Sequence, residues 1–105
     1  MKIKIIVSAA MALLSMVCSV QAQDKETLYV KSLAATCANC HGTNGKAVEG
    51  SSVTSLAGLD KSYIVAQMKA FKAGTRPATI MHQISKGFSD AQIESLATYF
   101  AAQKK

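Results

Sequence analysis

Five consecutive residues, Cys37-Ala38-Asn39-Cys40-His41, hold two of the three cysteines and one of the two histidines of this 105-residue sequence. A CxxC pair is compatible with three chemistries: a redox disulfide, half of a zinc site, or covalent attachment of a haem. A zinc ion could recruit Cys37, Cys40, His41 and His82, but structural zinc motifs present a second closely spaced pair, and none exists here. A thioredoxin-like dithiol needs a βαβ context, whereas no segment shows strand periodicity. The histidine directly after the second cysteine favours haem. Two thiols on one helical turn can add to the two vinyl groups while the next residue turns its imidazole to the iron. A mere disulfide between Cys37 and Cys40 would close a tiny loop and stabilise the chain little. Haem attachment is the favoured reading, with zinc and dithiol chemistry as the alternatives.

A haem iron has a sixth position to account for, and Met68, Met81 and His82 are the candidates. Met68 falls in the apolar stripe of a regular helix, where methionine ordinarily fills core space. Met81 follows a proline-containing turn, 40 residues beyond His41, in a segment expected to be non-repetitive and able to fold over the opposite haem face. Met81 is therefore chosen as the second axial ligand. His82 would then face away as a surface histidine, with bis-histidine ligation as the alternative.

The elements that must position these residues are helices. A first helix is expected after Asp24, whose carboxylate can cap it. Its stripe of Val30, Leu33, Ala34 and Cys37 ends on the first cysteine. From Gly42 to Gly58 the chain is rich in Gly, Ser, Thr and Asn, which predicts a long loop; so long a loop in so small a domain is expected to wrap something. A second helix is bounded by Asp60 and Gly74 and lined by Ile64, Val65, Met68 and Phe71. Ser89 followed by Gln92 is a capping-box signature for a last helix with Ile93, Leu96, Ala97 and Phe100 facing inward. That helix is expected to carry Lys104 and Lys105 near its C-terminal dipole, and Ala91, Ala97 and Ala101 leave room for a close neighbour. The fold class is all-α, with three main helices and a loop-rich middle.

Composition sharpens this. Hydrophobic residues make up 50% of the whole chain, but 16 of the first 22 residues are hydrophobic. Met1 to Ala22 has a basic start (Lys2, Lys4), an uncharged apolar run and small residues at Val20-Gln21-Ala22, which predicts a secretory signal peptide cut before Gln23. An uncut membrane anchor is disfavoured because the run is short for a bilayer span, and lipidation at Cys18 because Val17 precedes it. The domain is then 23–105, in the periplasm and without a stable membrane anchor. Loss of Lys2 and Lys4 lowers Lys+Arg from 12 to 10 against 6 Asp+Glu, a formal charge of +4. The charges are scattered, and no basic face with stacking aromatics suggests nucleic acid; an acidic protein partner fits better. A domain this small, with many of its apolar residues alanine, needs a prosthetic group or similar staple.

The segments 33–42 (Leu-Ala-Ala-Thr-Cys-Ala-Asn-Cys-His-Gly), Leu56-Ala57-Gly58, Met81, and Phe88 to Phe100 together resemble a small soluble class I cytochrome c. The resemblance implies an all-α haem bundle whose first and last helices cross. It implies thioethers at Cys37 and Cys40, a proximal ligand at His41 and a distal ligand at Met81, on a single covalent haem c. In such proteins a proline two places before the Leu-x-Gly leucine supplies a carbonyl that orients the proximal imidazole. Here that position is Thr54, so the carbonyl is retained but the local rigidity is reduced. Phe71 to Met81 and Ser85 to Asp90 further resemble c553-type carriers and the cytochrome subunits of flavocytochrome c sulfide dehydrogenase, which implies a flavoprotein donor and sulfide oxidation.

The expected function is electron transfer, not catalysis by the chain itself, with Lys46, Lys69, Lys72 and Lys86 as candidates for steering docking. The alternatives are a haem with an open sixth position acting in ligand sensing or peroxidase-type chemistry, and a non-haem dithiol oxidoreductase.

Overall fold

The computed structural model describes residues 2–3 and 25–105. The expected leader, its cleavage point and the Asp24 cap lie outside the described residues, Lys2 and Ile3 excepted. From residue 25 onward four helices and no strand are found. We label them α1 (residues 25–41), α2 (Lys61–Ala73), α3 (Met81–Lys86) and α4 (Asp90–Ala101). The link from α1 to α2 is irregular apart from one 3-10 turn, Thr43–Gly45. None of the described helices is long and apolar enough to cross a membrane.

Local chemistry explains the helix ends. The Asp60 carboxylate accepts from Tyr63 N at 3.1 Å and from the Ser62 hydroxyl, satisfying an amide that the first turn of α2 leaves free. At the other end Gly74 takes a left-handed conformation (φ 76°), which a residue with a Cβ adopts only at a cost. At α4 the capping box is complete: Ser89 Oγ accepts from Gln92 N at 3.1 Å, and Gln92 Oε1 accepts from Ser89 N at 2.9 Å. That helix ends at Ala101 with no basic residue in its last turn. Lys104 and Lys105 therefore lie beyond it, because the chain has already turned at Ala102.

One element departs from expectation. The segment through Met81 forms a helix, though one of only six residues, and its N-cap Ile80 provides no side-chain cap. Packing holds it instead. It lies against α2, and the hydroxyl of the fully buried Ser85 donates to Met68 Sδ on α2 at 3.6 Å.

The core is small. Ala34 of α1, Ile64 of α2 and Leu96, Ala97 and Phe100 of α4 form one buried cluster. Alanine on both facing helices, Ala34 and Ala97, lets α1 and α4 approach closely, as the stripe of small residues predicts. Gln92 Nε2 donates to Tyr29 Oη at 2.8 Å, and Tyr99 Oη to Asn44 Oδ1 at 2.9 Å, so α4 is tied to α1 and to the turn that follows it.

Candidate functional site

The open side of this bundle is a cavity of about 430 Å³ whose wall is overwhelmingly apolar. It lies between the end of α1, the loop before α2, the inner face of α2, and α3 with α4. Its size is within the range of pockets that bury an organic ligand. Cys37, His41 and Met81 all line it, and so does Met68. The structure thus brings together residues 40 apart in sequence, while Cys40 is exposed and stands outside the wall.

His41 is the last residue of α1, and its Nδ1 lies 2.6 Å from the Thr54 carbonyl oxygen. A carbonyl can only accept, so Nδ1 carries the proton and Nε2 holds the lone pair. The expected Thr54 carbonyl is therefore present and engaged. What holds it without proline is the loop itself. The Gly45 carbonyl accepts from Leu56 N at 2.7 Å and Ala57 N at 3.1 Å, and from Ser55 Oγ at 3.0 Å. Residues 55–57 are pinned immediately after Thr54.

The chemistry of the two cysteines weighs against a dithiol enzyme. Burial pushes the Cys37 thiol above its ordinary value; the neighbouring Thr36 hydroxyl opposes this and Cys40 adds to it. Redox dithiols depend on the reverse, a stabilised thiolate. Zinc fares no better: among the described residues no three His, Cys, Asp or Glu side chains converge on a point that could hold a metal.

The two methionines on the wall are distinguished by their partners. Met68 Sδ already accepts the Ser85 hydroxyl, whereas among the described residues no hydrogen bond engages the Met81 sulfur. His82 does not line the cavity. It is half-buried rather than fully exposed, and among the described residues its buried Nδ1 has no hydrogen-bond partner.

Lys72 has partners within the fold. Its Nζ donates to the Phe88 carbonyl at 2.7 Å and to Asp90 Oδ1 at 3.1 Å, tying the end of α2 to the start of α4. No sequence pattern marks Gln67 or Arg76 as site residues, yet both line the cavity beside Phe71 of the expected apolar stripe. The Arg76 guanidinium lies over the Phe71 ring, 4.5 Å from its centroid.

A cytochrome c family model matches residues 27–104. The chain is 37% identical over 71 residues to a thiosulfate dehydrogenase electron acceptor of Thiomonas intermedia (strain K12), covering 68% of this chain and 33% of that protein. It is 36% identical over 73 residues to a cytochrome subunit of sulfide dehydrogenase from Chlorobaculum tepidum, covering 70% and 64%. A solved structure of cytochrome c4 from Acidithiobacillus ferrooxidans superposes with a TM-score of 0.59 at 36% identity, over 63% of this chain and 37% of that one. The chain spans between about a third and just under two thirds of the length of these relatives.

Proposed function

This chain belongs to the cytochrome c family of electron-transfer proteins with covalent c-type haem, and from that premise we propose that the 430 Å³ cavity holds one haem between His41 and Met81. Cys37 and Cys40 form the two thioethers. One observation carries the assignment: the Thr54 carbonyl fixes the Nδ1 proton of His41, so the ring presents Nε2 as a ligand in the cavity that Met81 also lines. The haem supplies one-electron exchange between ferric and ferrous iron.

The residues set the terms of that exchange. Thr54 raises the basicity of the imidazole through its hydrogen bond and fixes the ring's orientation. Met81 supplies a thioether, which favours the reduced metal and raises the potential relative to a second histidine. Ser85 keeps the competing sulfur of Met68 occupied. Leu56, Leu96 and Phe100 exclude water from the wall, which disfavours the additional charge of the oxidised state. His41 and Met81 would both be taken up in holding the iron, which fits an electron carrier rather than an enzyme.

The leader 1–22 delivers the domain 23–105 to the periplasm. Its partners are redox proteins, a flavoprotein donor in sulfide oxidation among them. The names of the two curated relatives, which concern sulfide and thiosulfate dehydrogenases, support that reading. Co-purification of the untagged protein with a flavoprotein is expected; recovery of a lone monomer counts against it.

The ligand assignment is tested on exported protein. A c-type absorption spectrum is expected, lost when Cys37 and Cys40 are both changed to serine. Met81→Ala should abolish the methionine-to-iron band of the oxidised protein, and a band that survives would refute Met81 as ligand.

A further inference from the structure

Two thioethers share one cavity. Met68 comes from α2 and Met81 from α3, and both line the wall. As soft sulfur donors they are chemically equivalent toward an iron that accepts methionine. What separates them is a serine. Ser85 is the one buried polar residue among those described, with none of its surface exposed, and its hydroxyl donates to Met68 Sδ at 3.6 Å. A buried hydroxyl is costly to leave unpaired, and a thioether is only a weak acceptor. A helical serine has an alternative in the carbonyl four residues back, here that of Met81. Among the described residues Ser85 makes no such bond, and Met68 is its hydroxyl's partner instead.

The position of Ser85 gives that contact a direction. It follows Met81 by four residues in α3, so the two side chains share one face of the helix, about 6 Å apart along its axis. Met68 packs against the buried cluster, which anchors its stem, while its unbranched chain leaves the sulfur free to rotate. The Ser85 hydroxyl therefore decides where that sulfur rests, and it engages a lone pair that a metal would use.

We propose that Ser85 is a positioning residue that selects the distal ligand: it holds the Met68 sulfur against α3 and leaves Met81 to bind the iron, so that Met68 is a reserve ligand kept out of use. The inference rests on the reading of the cavity as a haem site with Met81 as ligand. An iron that exchanged two sulfurs would divide the protein between two forms, each with its own surroundings and potential. A hydrogen bond of ordinary net strength biases such a competition about fivefold.

The test uses exported, haem-loaded protein with its methionine methyl groups isotopically labelled. In the reduced protein a methyl held at the iron lies over the haem ring, whose current moves its proton NMR signal upfield of the unbound ones. The wild-type protein should show the Met81 methyl there. In Ser85→Ala the Met68 methyl should join it, its bound share raised about fivefold, and the added signal should vanish in the Ser85→Ala, Met68→Leu double variant. A Met68 methyl that stays where the wild type has it overturns the proposal. So does a weakened Met81 signal with no second one, since that is what mere loosening of α3 produces.

A second arm removes the primary ligand and reads the methionine-to-iron band of the oxidised protein. Met81→Ala should lack the band, Ser85→Ala added to it should bring a partial band back, and Met68→Leu added to both should remove it again. No recovery in the Ser85→Ala, Met81→Ala double variant overturns the proposal while leaving Met81 as the ligand. A band that survives Met81→Ala alone overturns instead the ligand assignment on which the proposal rests.

Discussion

Which ring nitrogen of His41 bears the proton decides what the site can do, and that choice is made by a backbone carbonyl 13 residues away. His41 was legible in sequence as the candidate ligand because it follows a CxxC pair; the strength of its support was not. A threonine stands where related proteins place a proline, and stiffness is recovered through Gly45. That residue is buried, has φ +77°, and its carbonyl gathers Leu56, Ala57 and Ser55. An added Cβ would sit 2.6 Å from Phe100 Cδ1 and 2.8 Å from Cε1. Gly45→Ala is therefore expected to destabilise the loaded protein by about 2–4 kcal/mol, from left-handed strain plus overpacking. Gly50 provides the control, since it also has positive φ (79°) but nothing within 4 Å of an added Cβ. Gly50→Ala should cost only the backbone share. Equal denaturation midpoints for the two variants would remove the ring contact from the account. Nothing in the sequence links Gly45 to Phe100, because the contact exists only once α4 has docked.

At the scale of elements, the sequence was readable where a side chain caps its own helix and unreadable where packing makes the helix. Asp60, Gly74 and the Ser89/Gln92 box are local signals, and each appears in its expected role. The helix at Met81 has no cap and depends on α2, so no local pattern announces it. Two predictions follow from the caps. Ser89→Ala removes the acceptor for Gln92 N and should lower stability by about 1 kcal/mol, read from chemical denaturation of the loaded protein. The Asp60 cap depends on pH. The Ser62 hydroxyl first, and the Tyr63 amide next, hold its carboxyl below the ordinary value of 3.8. The folded protein therefore binds fewer protons than the unfolded chain in acid. The cap's contribution is complete above the unfolded value and is lost as pH falls through the lower, folded one. Full exposure to water keeps the effect small. Asp60→Asn should flatten the fall in stability below about pH 4, and an unchanged acid limb would show that other carboxylates account for it.

For the molecule as a whole, the question is what fills the centre. Among the described residues seven hydrophobic side chains are buried, and three of them, Ala34, Ala57 and Ala97, are alanines that bury little surface. The larger ones, Ile64, Ile93, Leu96 and Phe100, come from α2 and α4 only, so α1 is joined to the rest through Ala34, the partly buried Leu33 and Cys37, and side-chain hydrogen bonds. Meanwhile Cys37, Leu56, Met68 and Phe88 are only partly buried around a cavity of about 430 Å³. An empty apolar cavity of that size forfeits the contacts its lining would otherwise make, and a folded domain has only about 5–15 kcal/mol of stability to lose. The haem would add apolar contact on every wall and would also cross-link α1, through Cys37, Cys40 and His41, to α3 through Met81. Those are two elements that this chain's own core scarcely joins. Without attachment, the chain is expected to lose most of its helicity and to melt without a cooperative transition. Circular dichroism of the Cys37→Ser, Cys40→Ser double variant, beside the loaded protein, measures this directly. A sharp thermal transition with helix content near that of the loaded form would mean that the four large residues of α2 and α4 suffice, and that the cavity is preformed instead of built around its cofactor.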